Sequence, residues 1–131
     1  MPHFIDTNVA IHLRDGDRFV RSQLDALDGD VLLSIVSRVE LEGGVYQDPT
    51  QSVTRRARLD LILASMPVVP FDGDAAAAYG AMVRDIGYSR RKVLDRMIAA
   101  QAIVHRAPLI TLNGGDFRGI PGLGLVEWQM P

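Results

Sequence analysis

Short apolar runs alternate along the chain with longer stretches of helical period. The runs are His3-Phe4-Ile5, Val31-Leu32-Leu33, Pro67-Val68-Val69-Pro70-Phe71, Leu109-Ile110 and Leu125-Val126-Glu127-Trp128. All are too short for helices and sit among Pro, Gly, Asp or Asn, so they predict strands, the last one at an edge. Between them, Val9 to Leu13 predicts a helix. Phe19, Val20, Leu24 and Leu27 predict another that ends near Asp28-Gly29. A third leaves the second strand past Ser37, and a long one runs from Gln51 to Met66, with Leu59, Ile62 and Leu63 on one side and Arg55, Arg56 and Arg58 on the other. Asp72 caps an Ala-rich helix that ends around Ile86-Gly87, and Ser89 or Asp95 caps the next. In that last helix Ile98 to Ala102 is small and apolar, with Gln101 the single polar break, which lets it lie close on a sheet. Strands and helices in alternation predict an α/β fold: a three-layer α/β/α sandwich around a central, mostly parallel sheet of four to five strands.

Polar residues gather where the strands end. Asp6-Thr7-Asn8 follows the first strand, Ser34 to Glu40 the second, and Thr111, Asn113 and Asp116 the fourth, while Asp95 opens a helix. Each has an ordinary structural explanation. Asp6, Thr7 or Asn8 can cap a helix, and Ser37 with Glu40 has the form of a capping box. If the strands are parallel, however, Asp6, Glu40, Asp95 and Asp116 all stand above their carboxyl ends, the edge at which open α/β sheets bind ligands. Four carboxylates that close repel one another unless protons or cations intervene. Oxygen ligands and retained waters suit Mg²⁺, or Mn²⁺. Zinc fits poorly, because there is no cysteine and His3, His12 and His105 lack paired ligand spacing.

Composition narrows the setting. At 131 residues the chain is read as one domain, residues 1–131. No apolar run is long enough to span a membrane and no signal peptide is evident, so a cytoplasmic protein is expected. Net charge is −2, yet every cationic residue but Lys92 is Arg. Two clusters stand out, Arg55-Arg56-Ala57-Arg58 and Arg90-Arg91-Lys92. Arginine forks match phosphate oxygens in pairs, although such clusters also serve as solvated helix faces.

Asp6-Thr7-Asn8, Ser37-Arg38-Val39-Glu40-Leu41, Asp95 with Ile98-Ala99-Ala100-Gln101-Ala102, and Thr111-Leu112-Asn113 with Gly114-Gly115-Asp116-Phe117 occur in one order. In that order and spacing the chain resembles the PIN-domain family, in particular the VapC toxins of bacterial toxin–antitoxin pairs. Pro121-Gly122-Leu123 and Trp128 are similar to the family's tail. Gly114-Gly115 departs from it, since related chains often carry larger or charged residues there. The resemblance implies a Mg²⁺-dependent endoribonuclease whose acids are Asp6, Glu40, Asp95 and Asp116, with Thr111 and Asn113 as polar supports. Asp6 and Asp95 would hold the principal ion. Arg90, Arg91, Lys92 and Arg96, which flank Asp95, are expected to contact RNA phosphates. The resemblance also implies a VapB-like antitoxin and a homodimer. The alternative is a PIN-like module, without catalysis, that binds RNA or protein. A receiver domain, a haloacid-dehalogenase-like phosphatase and a dinucleotide-binding domain each lack a required element: a late strand-end Lys, an Asp-x-Asp pair and a G-x-G-x-x-G turn.

Overall fold

The computed structural model describes residues 1–131 and contains five strands and six helices. The strands are β1 (His3–Ile5), β2 (Val31–Ser34), β3 (Val68–Val69), β4 (Leu109–Thr111) and β5 (Leu125–Glu127). They form a single sheet, ordered β3-β2-β1-β4-β5, with every pairing parallel. The helices are α1 (Thr7–Arg14), α2 (Arg18–Asp25), α3 (Ile35–Gln47), α4 (Ser52–Ser65), α5 (Gly73–Ile86) and α6 (Val93–Val104). None is long and apolar enough to cross a membrane.

Strand alternation divides the core. Ile5, Leu33 and Ile110 point to one face and pack with α1, α2 and α4 through Val9, Leu13, Val20, Leu24, Leu59 and Ile62. Their neighbours Phe4 and Leu109 point to the other face, against Met82 of α5 and Ile98, Ala99 and Ala102 of α6. Side chains that switch face at every residue need cover on both sides, which is why the strands are almost wholly apolar. The small residues of α6 are fully buried, as their size predicts.

The order of elements positions the crevice. From β1 the chain builds outward to β2 and β3, then returns to β1's other side to add β4 and β5. The direction of winding reverses between β1 and β4, and a crevice opens there at the carboxyl ends.

Helix starts differ in detail from the sequence expectation. The capping box between Ser37 and Glu40 does not form. Helix α3 begins at Ile35, two residues after the end of the predicted strand run, and its cap is Ser34, which accepts from the Val36 N–H at 3.0 Å. Glu40 therefore stands in the second turn, where no free backbone N–H remains for it. Neither Ser89 nor Asp95 caps α6. The helix is entered through a 3₁₀ turn, Arg90–Lys92, and Asp95 lies in its first turn.

Gln101, the polar break in α6, is fully buried. The Ser34 hydroxyl donates to its side-chain oxygen, and its amide donates to the carbonyls of Val69 at 3.0 Å and Pro70 at 3.1 Å. One side chain thus ties α6 to the ends of β2 and β3. Replacing Gln101 by Ala removes the acceptor of the buried Ser34 hydroxyl and the donor to the Val69 and Pro70 carbonyls, and is expected to cost about 2–4 kcal/mol in a urea denaturation series.

Candidate active site

Asp6 is the first residue beyond β1 and is 3% exposed. Its backbone N–H donates to the Ile110 carbonyl at 3.0 Å, which holds it against β4. One carboxylate oxygen accepts from the Val9 N–H at 2.9 Å and so caps α1. The other accepts from the Thr111 hydroxyl at 2.6 Å, across the crevice between β1 and β4. Capping and participation in the cluster are therefore compatible: one oxygen serves each.

The other side chains build outward from that bond. Thr111 is fully buried, and its hydroxyl also accepts from the Asn113 N–H at 2.9 Å. The Asn113 amide donates to Asp116 at 3.0 Å within the 3₁₀ turn Gly114–Asp116. On the other flank, the Thr7 hydroxyl donates to Glu40 at 2.7 Å and lies 2.9 Å from the buried Ser37 hydroxyl. Threonine and asparagine thus hold three of the acids by neutral hydrogen bonds, and no Arg or Lys forms an ion pair with any of the four.

The four acids share one field. Burial, followed by the charges of Asp116, Asp6 and Glu40, pushes the Asp95 carboxyl up from 3.8 to about 6, although Lys92 opposes this. Burial also raises Asp6, against the hydrogen bonds from Thr111 and Val9 and with a contribution from Asp116. As the side chains stand, no three or more His, Asp or Glu groups are close enough to enclose a metal ion. The donors are all oxygens, their charge is uncompensated, and they surround an open crevice. That chemistry fits a hard divalent cation held by one or two carboxylates with waters completing its shell. The largest cavity, about 710 Å³, lies at the opposite edge and touches none of these acids.

The expected RNA contacts divide. Arg90 and Arg91 are exposed, and Lys92 is close enough to Asp95 to act on its charge. Arg96 is a correction. It is 8% exposed and donates to the Gly87 carbonyl at 2.7 Å, so it holds the end of α5 and does not face solvent.

One support was missed in the sequence. Glu127 of β5 accepts from the Gly114 N–H at 2.7 Å and from Arg118 at 2.6 Å, anchoring the turn that carries Asp116. A Cβ on Gly114 would lie 2.6 Å from that carboxylate, which accounts for a glycine where larger residues were expected. No local signal links positions thirteen residues apart, so only the fold reveals the pair.

A parallel doubly wound sheet with a carboxylate-lined crevice at its switch point defines an α/β class of acid-site proteins. Within it, a PIN domain model matches residues 3–123, and the chain belongs to the PIN-domain family. A curated relative, Ribonuclease VapC2 of Rickettsia felis, is 26% identical over 137 residues, covering 98% of this chain and 99% of the relative. Among solved structures, VapBC2 from Rickettsia felis bound to a DNA fragment from their promoter superposes with a TM-score of 0.86 at 23% identity, covering 98% of this chain and 100% of that one. A toxin–antitoxin complex from Klebsiella pneumoniae gives 0.77 at 28% identity, covering 98% and 99%.

Two outcomes are expected in metal-free protein. The Asp95 carboxyl should titrate near pH 6 by NMR. Because the folded chain binds that proton more tightly than the unfolded chain, wild type loses stability as pH rises from 3.8 to about 6. The stability of Asp95→Asn relative to wild type should therefore rise through that window and level off above it, as read from thermal midpoints in EDTA. Separately, Gly114→Ala should break the bond to Glu127 and cost about 1 kcal/mol in urea while the secondary structure is retained.

Proposed function

We propose that the chain is a Mg²⁺-dependent endoribonuclease, the toxin of a VapBC-type pair. The observation that carries this is the group of four acids at the sheet's switch point, where burial and then the charges of Asp116, Asp6 and Glu40 push the Asp95 carboxyl up, with no cationic side chain paired to any of the four. The relative named as a ribonuclease supports the reaction class, and the similar toxin–antitoxin complex supports the partner. A module that merely binds RNA or protein has no need for such uncompensated charge.

Asp6 and Asp95 would hold the principal Mg²⁺ or Mn²⁺, with Glu40 and Asp116 reaching it through water or serving a second ion. When bound, the cation neutralises charge on the scissile phosphate and lowers the pKa of water. The chain's own groups do the rest. Thr111 keeps the Asp6 carboxylate in one rotamer, Asn113 does this for Asp116, and Thr7 for Glu40. One of these carboxylates accepts the proton of the attacking water. Arg90, Arg91 and Lys92 guide the backbone of single-stranded RNA toward Asp95, since sequence reading in RNA favours splayed bases.

Exposed apolar side chains provide surface for a VapB-like antitoxin and a second copy of the chain. Val39 and Tyr46 on α3 are 66% and 65% exposed, Val53 and Leu61 on α4 84% and 71%. Scattered exposed apolar residues are common, but this many on adjacent helices suits an interface.

Cleavage of single-stranded RNA should stop in EDTA and return with Mg²⁺ or Mn²⁺. Asp6→Asn and Asp95→Asn should lower kcat by more than about 100-fold, and Thr111→Val by about 10- to 100-fold, with circular dichroism unchanged. Undiminished cutting by Asp6→Asn, or in the presence of chelator, would overturn the assignment.

A further inference from the structure

A groove of about 530 Å³ runs from the acidic edge down between α1, α3 and the start of α4. Thr7 and Glu40 form its upper end, and Arg14 and Arg55 line it further along. We infer that this groove is the track for the RNA strand on one side of the cut, with Arg55 contacting a phosphate outside the scissile one. The inference rests on the ribonuclease reading and adds to it a substrate-binding residue and a direction for the strand.

The two arginines differ in availability. Arg14 is 5% exposed, and its Nε donates to Asp15 at 3.0 Å, so it belongs to the wall. Arg55 donates only to the Gly44 carbonyl, at 2.8 Å, and no carboxylate pairs with it. Asp48, the acid whose charge Arg55 influences, is itself held by the backbone and hydroxyl of Thr50. The rest of the basic cluster points elsewhere. Arg56 is paired with Glu42 and Asp60, and Arg58 lines the cavity at the far edge. Of that cluster, only Arg55 combines a free positive charge with a path to the acids.

Gly43 and Gly44, side by side in α3, give the groove its depth. A Cβ on Gly44 would approach the Arg14 guanidinium to 3.0 Å, so this glycine makes room for the wall. A Cβ on Gly43 would meet nothing within 4 Å, so this glycine leaves open space above it. Glycine within a helix lowers helix stability, and no packing contact at Gly43 offsets that loss.

The lining favours a nucleic acid over a peptide. Ile11 is its single hydrophobic side chain. The lining also includes Asp15, paired with Arg14, and Glu40 of the acidic edge, so Arg55 is its one unpaired cation. Peptides anchor through apolar and aromatic side chains in matching pockets, whereas nucleic-acid interfaces are polar.

The test uses full-length protein and a short fluorescein-labelled single-stranded RNA, followed both by anisotropy in Ca²⁺ and by cleavage kinetics in Mg²⁺. Arg55→Gln should weaken binding and raise KM about tenfold, with kcat within about twofold. It should also reduce the slope of log affinity against log salt by about 0.7. Gly43→Gln should fill the groove, weaken binding to a similar extent, and leave the thermal midpoint unchanged or raised. Arg21→Gln, at the far edge, serves as the control and should behave as wild type. Wild-type affinity and salt slope in both Arg55→Gln and Gly43→Gln would overturn the inference. So would variants that keep RNA binding but lose binding to the purified antitoxin, because the groove would then belong to the peptide. A wild type that binds RNA, with the expected losses in both variants, but never cuts it would support the groove while refuting the ribonuclease reading.

Discussion

The buried carboxylate of Asp6 is the constraint around which the site is arranged. A carboxylate at 3% exposure loses most of its hydration, and that cost must be offset by hydrogen bonds. Two bonds do so, one from the first turn of α1 and one from Thr111 at the end of β4. The first is local, since α1 follows β1 directly; Thr111 stands where it does because β1 and β4 are neighbours in the sheet, paired in parallel register with Ile5 beside Ile110. The acid that would bind a cation is thus also a joint between two strands and a helix.

The surrounding acids are handled differently. Asp116 and Glu40 are held by neutral donors, Asn113 and Thr7, and no ion pair forms with either. An arginine in those places would have relieved the repulsion more effectively, but it would also have occupied the crevice. Hydroxyl and amide donors orient a carboxylate while leaving its charge uncompensated, and the rise of Asp95 to about 6 reflects its burial first and then that residual charge.

Support for this edge comes from buried polar groups further out. Gln101 joins α6, the helix carrying Asp95, to β2 and β3, and Glu127 joins β5 to the turn carrying Asp116. Arg96 holds the segment after α5, next to the basic turn. None of these groups is one of the four acids. Each fixes the backbone from which an acid or a cation projects, so small errors in loop position do not reach the crevice.

The parallel α/β sandwich was legible in the sequence because its strands are short apolar runs and its helices are periodic, and both patterns arise from burial on two faces. The gathering of Asp6, Glu40 and Asp116 at one edge was legible too, since residues that follow parallel strands emerge together; Asp95 comes to them from the first turn of α6. Local capping was only partly so: Ser34 took the place of Ser37 because the helix started earlier, and this freed Glu40 to meet Thr7. What tertiary structure alone decided were pairings between distant positions, such as Thr111 with Asp6, Gln101 with Ser34, Glu127 with Gly114, and the burial of Arg96. A linear pattern reports which face a residue occupies. It does not report which residue from another element lies opposite, because that depends on strand order and helix placement, and these are settled only when the whole core packs.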